Sequence, residues 1–329
     1  MPKKKKNRFL QRYWEKLFYF KLITFLLFIF FLTSGALLLL PNYLNQAQGE
    51  ITSLSSTKVL SYNIAPEKNE PTKKLEDKII EGELSPPILT AEAVLALDLL
   101  TGQTLYQKNI HKRLPPASTT KLMTALVAIE HYKNPDILTV YPEAIVGGAD
   151  MGLNPGEVLS FRSLLYGMLL NSGNDASFTI ALNYPGGLPM FVMHMNKKAK
   201  SLELINTNFD NPAGFDSPNH YSSAYDLSLI AKEAIANPQI SRVVATKETT
   251  VTSTDSSKLH ILKNLNALLS EGFLGIKTGY TENAGENFVG LFEKDTHRIL
   301  TVVLNSKDRF GETKKLTNWI FQNFTFIKI

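Results

Sequence analysis

The chain has 329 residues, a formal net charge of +5 and a hydrophobic fraction of 44%. It contains no cysteine, which excludes disulfide chemistry. Residues 1–21 hold eight Lys and Arg against one Glu, a net charge of +7 that leaves −2 for the remainder. Because the basicity is confined to one end, the sequence carries no nucleic-acid footprint, and we predict no nucleic-acid partner.

Residues 22–40 are an uncharged apolar run, roughly 28 Å long as a helix and just able to cross a bilayer. The basic residues before it keep that end in the cytoplasm. A cleaved signal peptide is the alternative, but the run is longer than the apolar region of such peptides, and Asn45-Gln46-Ala47 lacks one small residue of a cleavage site. We therefore predict a basic cytoplasmic segment over 1–21 and an uncleaved transmembrane signal anchor over 22–40.

Residues 41–88 are polar and charged, with five prolines that interrupt regular structure. This composition predicts a stalk or linker, roughly 40 Å long on average as a flexible coil. Within it, the pattern from Lys74 to Gly82 suggests a short helix.

Residues 89–329 can bury a single core. Strand patterns at 93–99 and 104–108 open this region, and three more close it at 275–281, 287–292 and 298–304, with mainly helical patterns between. Apolar residues from Leu316 to Phe324 predict a last helix that packs on the sheet. The order predicts an α+β domain with the site between sheet and helical lobe.

Ser118 and Lys121 stand three positions apart at the start of a predicted helix. Two prolines precede them, and the apolar residues that follow recur at helical spacing. Such a pair lies on one helical face, so the lysine amine can accept the serine proton. Because a free lysine has a pKa of about 10.4, burial and a second cation must lower that of Lys121. Lys277 is the candidate cation.

A second polar pair, Ser172 and Asn174, follows the periodic helix 161–169. Ser172 can relay a proton, and Asn174 can hold a substrate amide or the lysine amine. The structural alternative is that these residues cap a helix over 175–182.

Lys277, Thr278, Gly279 and Tyr280 lie on a predicted strand. Lysine and threonine offer a cation and a hydroxyl to a substrate carboxylate, and glycine lets the backbone approach closely.

Each pattern is weak when taken alone. Ser55 and Lys58 repeat the first spacing inside the stalk, and Ser217-Pro218-Asn219 repeats the second. The six histidines are scattered without metal-ligand spacing, and a phosphate-binding glycine loop is absent from the sequence, so we predict no metal and no cofactor.

The three elements in this order resemble those of the penicillin-binding serine acyl-transferases, and most closely the serine-type D-alanyl-D-alanine carboxypeptidases. The resemblance implies a β-lactamase/transpeptidase-like fold with a five-stranded, largely antiparallel sheet flanked by helices. It extends from Leu89 to the C-terminus and includes four stretches that we predict to carry no catalytic group, at 97–103, 151–157, 211–216 and 220–223.

The resemblance implies that Ser118 is the nucleophile that becomes acylated and that Lys121 is its general base. Ser172 and Asn174 then complete the proton relay and help to bind the substrate. It further implies that the backbone N–H groups of Ser118 and Tyr280 form the oxyanion hole.

The same resemblance assigns the substrate carboxylate to Lys277 and Thr278, and it makes Gly279 and Tyr280 further substrate-binding residues. Arg309 matches a position where such enzymes often carry a basic residue near the carboxylate pocket. A solvated surface arginine is the alternative for Arg309.

The implied substrate is the acyl-D-Ala-D-Ala end of a peptidoglycan stem peptide, with β-lactams as covalent inhibitors and the catalytic domain outside the bacterial cell membrane. A D,D-endopeptidase and a β-lactamase are sister alternatives, although residues 203–206 do not reproduce the class A deacylation motif. A catalytically idle wall-binding scaffold is the alternative from another class.

Overall fold

The computed structural model describes residues 78–294 and 296–327. The predicted cytoplasmic segment, the anchor and most of the predicted stalk lie outside these residues. Within the described part, no helix is both long enough and apolar enough to span a membrane.

Eleven strands are described: β1 (Lys78–Glu81), β2 (Ala93–Asp98), β3 (Thr104–Lys108), β4 (Ile137–Thr139), β5 (Val158–Ser160), β6 (Glu248–Thr252), β7 (Leu259–Lys263), β8 (Phe273–Thr281), β9 (Gly285–Lys294), β10 (His297–Ser306) and β11 (Phe324–Ile327). The α-helices of the same part are α1 (Lys121–His131), α2 (Phe161–Leu170), α3 (Asn174–Leu182), α4 (Gly187–Ser201), α5 (Ala224–Ala236), α6 (Pro238–Val244) and α7 (Arg309–Asn323). Short 3-10 helices lie at Ala117–Thr120, Pro142–Ala144 and Ala267–Glu271.

The central sheet has five strands in the order β3-β2-β10-β9-β8, and every neighbouring pair is antiparallel. This confirms the predicted sheet and places β8 at its edge. Along β2, successive side chains face opposite sides, as strand geometry requires. Leu95 packs into the large core shared with the helical lobe, whereas Val94 and Ala96 pack against Leu316 and Ile320 of α7.

The helical lobe is built around α1 and α2. Leu122 and Met123 of α1 and Leu164, Leu165 and Met168 of α2 are fully buried in one apolar cluster. Because this cluster also includes Ile276 of β8, the same core holds the helical lobe against the strand that carries Lys277.

The helix predicted from Lys74 to Gly82 is wrong over the residues that the structure describes, and its first four residues lie outside them. Residues Lys78–Glu81 instead form β1, which pairs antiparallel with β11, with Lys78 opposite Ile327 and Glu81 opposite Phe324. The two consecutive isoleucines favour a strand, and the partner that stabilises it lies at the other end of the chain. This strand falls within the segment predicted as stalk.

Candidate active site

Ser118 lies in the 3-10 turn Ala117–Thr120, and the α-helix begins only at Lys121. The α-helix thus starts one turn later than predicted, and the serine lies in the tighter turn before it. Ala117 has a φ of 49° in this turn. Despite the change of helix type, the two side chains meet, since Lys121 Nζ is 2.8 Å from Ser118 Oγ.

Lys121 is fully buried and its Nζ has three polar neighbours. Besides Ser118 Oγ, these are Asn174 Oδ1 at 2.8 Å and the Ala213 carbonyl oxygen at 2.7 Å. The last two can only accept hydrogen bonds. A neutral amine has two N–H donors and one lone pair, so donation to both acceptors leaves the lone pair directed at the Ser118 hydroxyl. The geometry therefore suits a base that accepts the proton of Ser118.

The orientation of Asn174 is fixed independently of the lysine. Its Nδ2 donates to the Gly147 carbonyl oxygen at 2.9 Å, so Oδ1 must face Lys121. Its backbone N–H donates to the Ala149 carbonyl oxygen at 2.7 Å. The side chain is buried as well, which holds the amide in one orientation.

The Ala213 carbonyl is positioned by Asn211. The Oδ1 atom of Asn211 accepts hydrogen bonds from the backbone N–H groups of Ala213, Gly214 and Phe215, at 3.1, 2.7 and 3.0 Å. This corrects our reading of residues 211–216 as a stretch without a catalytic contact. The Asn-Pro-x-Gly pattern signals a turn, but nothing in the sequence shows which carbonyl the turn directs at the lysine.

Two buried lysines shape the electrostatics of the site. Burial lowers the pKa of Lys121 well below its ordinary value, the charge of Lys277 lowers it further, and Asp175 opposes the shift. Burial, followed by the charge of Arg309, lowers the pKa of Lys277 to about 7. Both causes invoked for Lys121 at the sequence level thus operate in the structure.

Ser172 is buried, with a left-handed φ of 60°. Its Oγ accepts a hydrogen bond from Lys277 Nζ at 2.9 Å. The capping alternative does not apply, because the N-cap of α3 is Gly173 and no side chain caps that end. Ser172 and Asn174 therefore face the two lysines instead of the end of their own helix.

Two glycines let the backbone close around the nucleophile. A β-carbon on Gly214, which has a φ of 95°, would lie 1.9 Å from the Ala117 carbonyl oxygen. A β-carbon on Gly279 would lie 3.1 Å from the Ser118 backbone nitrogen. The edge strand β8 consequently runs directly against the turn that carries Ser118, with Thr278 buried and Tyr280 exposed.

Arg309 begins α7 and is partly buried. Its Nη1 donates to the Gly279 carbonyl oxygen at 2.9 Å, and its guanidinium carbon is 5.0 Å from the centre of the Phe310 ring. Because Arg309 is hydrogen-bonded to β8 and its charge lowers the pKa of Lys277, Arg309 is not a solvated surface arginine.

Asp175 is a further residue of the site, and no sequence pattern singled it out. This buried carboxylate accepts hydrogen bonds from the backbone N–H groups of Met151 and Leu153, at 3.0–3.1 Å. It thereby ties the loop before β5 to the start of α3, next to Asn174. The buried His220 contacts Thr120 Oγ1 at 2.8 Å. In the described part of the chain, no group of His, Asp and Glu side chains could hold a metal ion.

Comparison with known proteins places this site in a family. The family model for D-alanyl-D-alanine carboxypeptidases, peptidase S11, matches residues 81–308. The chain belongs to peptidase family S11.

Two S11 relatives and one solved structure show the extent of the likeness. D-alanyl-D-alanine carboxypeptidase DacF of Bacillus subtilis is 36% identical over 245 residues, covering 71% of this chain and 63% of that protein. DacD of Salmonella typhimurium is 35% identical over 263 residues, covering 74% and 66%. The present chain thus spans just under two thirds of the length of each of these two relatives. The Streptomyces K15 DD-transpeptidase superposes with a TM-score of 0.69 at 30% identity, covering 73% of this chain and 100% of that one.

Proposed function

We propose that this chain is a serine D-alanyl-D-alanine carboxypeptidase that removes the terminal D-alanine from peptidoglycan stem peptides. The observation that carries the proposal is the environment of Lys121. Its three neighbours, its complete burial and the second lysine together favour a neutral amine facing Ser118. Membership of family S11 supports the same reaction.

In the first step, Ser118 Oγ attacks the carbonyl carbon of the penultimate D-alanine while Lys121 accepts its proton. The oxyanion is held by the backbone N–H groups of Ser118 and Tyr280. Gly279 supports this assignment because its lack of a side chain brings β8 within reach of the Ser118 backbone. One such donor contributes a factor of about 10² to 10³ in rate.

The leaving D-alanine carries the carboxylate that Lys277, Thr278 and Arg309 recognise. A carboxylate beside Lys277 favours its charged form, so substrate binding raises a pKa that is about 7 in the free enzyme. Since Lys277 also donates to Ser172, the same contact orients the hydroxyl that passes a proton to the departing amine. The C–N bond breaks and free D-alanine leaves.

Water then hydrolyses the Ser118 ester, and Lys121 again serves as the base. A β-lactam forms the same ester but keeps its leaving group attached. It therefore blocks the approach of water and stays bound as a covalent inhibitor.

We propose a place of action from the N-terminal sequence. Residues 22–40 anchor the chain in the bacterial cell membrane as a single-pass helix, and residues 41–88 lead to a catalytic domain on the extracytoplasmic side. A membrane-impermeant reagent applied to intact cells tests this topology, because it must modify residues beyond the anchor and spare Lys3–Lys6.

Labelling with a fluorescent penicillin, compared between the wild type and Ser118→Ala, tests the nucleophile. We expect labelling of the wild type alone, and equal labelling would overturn the assignment. Product analysis then assigns the activity: free D-alanine from a pentapeptide supports the carboxypeptidase. Cleavage of a cross-linked dimer supports the endopeptidase instead, and rapid penicillin turnover supports the β-lactamase. A properly folded chain that neither labels nor cleaves supports the scaffold.

A further inference from the structure

A buried histidine and a buried glutamate meet near the active site, and neither takes part in the chemistry proposed above. His260 Nε2 is 2.5 Å from Glu157 Oε1, and the exposed fractions of the two side chains are only 6% and 4%. His260 lies on β7, and Glu157 lies in the loop before β5. The pair therefore holds that loop, residues 147–157, against the β6–β7 hairpin.

The hydrogen-bond partners of His260 show where its protons lie. Nδ1 is 3.0 Å from the Met151 carbonyl oxygen, which can only accept a hydrogen bond, so Nδ1 carries a proton. Nε2 faces a carboxylate whose other oxygen accepts from the Asn154 backbone N–H at 3.1 Å. Because two lone pairs repel each other, a second proton must lie between Nε2 and Oε1. The closed pair thus holds one proton more than a neutral imidazole beside a carboxylate.

Met151 links this pair to the start of α3. Its carbonyl oxygen is bonded to His260, and its backbone N–H donates to both carboxylate oxygens of Asp175 at 3.1 Å. Asp175 follows Asn174 directly in α3. Because Met151 is bonded on both sides, a loop that leaves His260 also loosens its attachment to α3.

The same loop supplies the carbonyl groups that orient Asn174. The Gly147 carbonyl oxygen accepts from Asn174 Nδ2 at 2.9 Å, and the Ala149 carbonyl oxygen accepts from its backbone N–H at 2.7 Å. Asn174 Oδ1 in turn lies 2.8 Å from Lys121 Nζ. The loop therefore sets the position of an acceptor that keeps the lone pair of Lys121 directed at the nucleophile.

Glu157 is the one charged partner of His260 within the part of the chain that the structure describes. The other titratable side chains on the elements around His260 are Asp150 in the loop, Arg162 and Tyr166 on α2, Asp175 on α3, Glu248 on β6, Asp255 in the hairpin turn, and Lys258 and Lys263 on β7 itself. Of these, only Asp175 is buried, and it contacts Met151 instead of the imidazole. The contact thus depends on His260 and Glu157.

We propose that His260 and Glu157 are positioning residues for the reaction, and that the proton they share keeps the loop in the place from which it orients Asn174. The inference rests on the proposed function, because it adds a pH limit to the same site. When this proton leaves to solvent as the pH rises, a buried carboxylate faces a ring lone pair, and such an unpaired buried charge is strongly unfavourable. The contact then opens and releases the loop.

Glu157→Gln isolates the effect of the proton. The glutamine amide can donate to Nε2 of a neutral imidazole while Nδ1 still donates to Met151, so the contact persists at high pH. The assay is the second-order rate of acylation of the full-length chain by a chromogenic β-lactam from pH 6 to pH 10. The ratio of the variant rate to the wild-type rate cancels the titration of the two active-site lysines. We expect this ratio to rise about five- to tenfold over the range, as for one lost hydrogen bond.

Two further comparisons separate positioning from a general effect of charge. His260→Phe keeps a ring but offers no proton, so adding Glu157→Gln to it should give a ratio that does not change with pH. The matched control is the second buried pair of this kind, in which His297 Nδ1 lies 3.2 Å from Asp98 Oδ1. Asp98→Asn removes a carboxylate from that pair, which has no link to Asn174, and its ratio to the wild type should be constant.

Hydrogen exchange of the loop tests the same contact without the reaction. The amides of residues 147–157 should exchange faster in the wild type than in Glu157→Gln at pH 9, and at equal rates at pH 6. If the exchange rates are equal at both pH values, the shared proton does not hold the loop and the inference is refuted. If the loop is released but the ratio of acylation rates stays constant, the two residues do not position the base and the inference is again refuted, while the proposed function stands. If the wild type is not acylated at all, the proposed function fails, and the positioning role fails with it.

Discussion

Replacing Asn174 with Asp changes the charge beside Lys121 with little change in shape. Asn174 Oδ1 is 2.8 Å from Lys121 Nζ. A full negative charge at that separation amounts to about 6 kcal/mol at an effective dielectric constant of about 20, or about 4 pKa units. The sign is upward, because an adjacent carboxylate stabilises the ammonium form. We therefore expect Lys121 to stay protonated at pH 7 in this variant.

The assay is the second-order rate of acylation by a chromogenic β-lactam, measured from pH 5 to pH 10. For Asn174→Asp we expect a loss of about 10³ or more at pH 7 with partial recovery as the pH rises, because each pKa unit removes a factor of about ten in neutral amine. Asn174→Ala is the matched control, since it removes the hydrogen bond without adding a charge. It should lose about tenfold, as expected for a single hydrogen bond, and its acid limb should not move to higher pH.

An Asn174→Asp enzyme with the wild-type rate and pH dependence would contradict the assignment of Lys121 as the base. A uniform loss with no recovery at high pH would mean that the Asn174 geometry matters and the lysine charge does not.

Three further predictions concern the framework around the site. Gly214→Ala should lower the melting temperature more than Gly102→Ala, because both have a positive φ but only the first places a β-carbon against backbone, 1.9 Å from the Ala117 carbonyl oxygen. Equal melting temperatures would rule out that contact. Asn211→Ala leaves three backbone N–H groups without their acceptor. This variant should lower the free energy of unfolding, measured in urea, by about 1–3 kcal/mol, and it should slow acylation. A variant that loses stability but is acylated at the wild-type rate would show that the loop does not position the base. Burial lowers the pKa of His220 from 6.5 to about 4. Between these two pH values the imidazole is therefore protonated in the unfolded chain but neutral in the folded one. Stability should therefore fall between pH 6.5 and pH 4, and less steeply in His220→Gln; parallel curves would refute the shift.

Local spacing made part of the site predictable from the sequence. Ser118 and Lys121 are three residues apart, and both a 3-10 turn and an α-helix bring such residues onto one side. The central sheet was predictable for a similar reason, because its strands carry strong apolar patterns and turn signals.

The contacts that depend on distant parts of the chain could not be predicted in this way. The Ala213 carbonyl reaches Lys121 only because Asn211 gathers three backbone N–H groups of its loop, and no side-chain pattern encodes the direction of a carbonyl. The strand β1 was misread as a helix because its partner β11 ends the described chain. Similarly, the partial burial of Arg309 depends on how α7 packs beside β8 and was not visible in its neighbours along the chain.

The most direct test of the central claim is to map the residue that a β-lactam acylates in the full-length chain. The chain offers two serines at the same spacing from a lysine, Ser118 with Lys121 and Ser55 with Lys58. After proteolysis and mass spectrometry, the account predicts a single modified peptide that contains Ser118 and is lost in Ser118→Ala. An adduct on Ser55, or one that persists in Ser118→Ala at full yield, would contradict it.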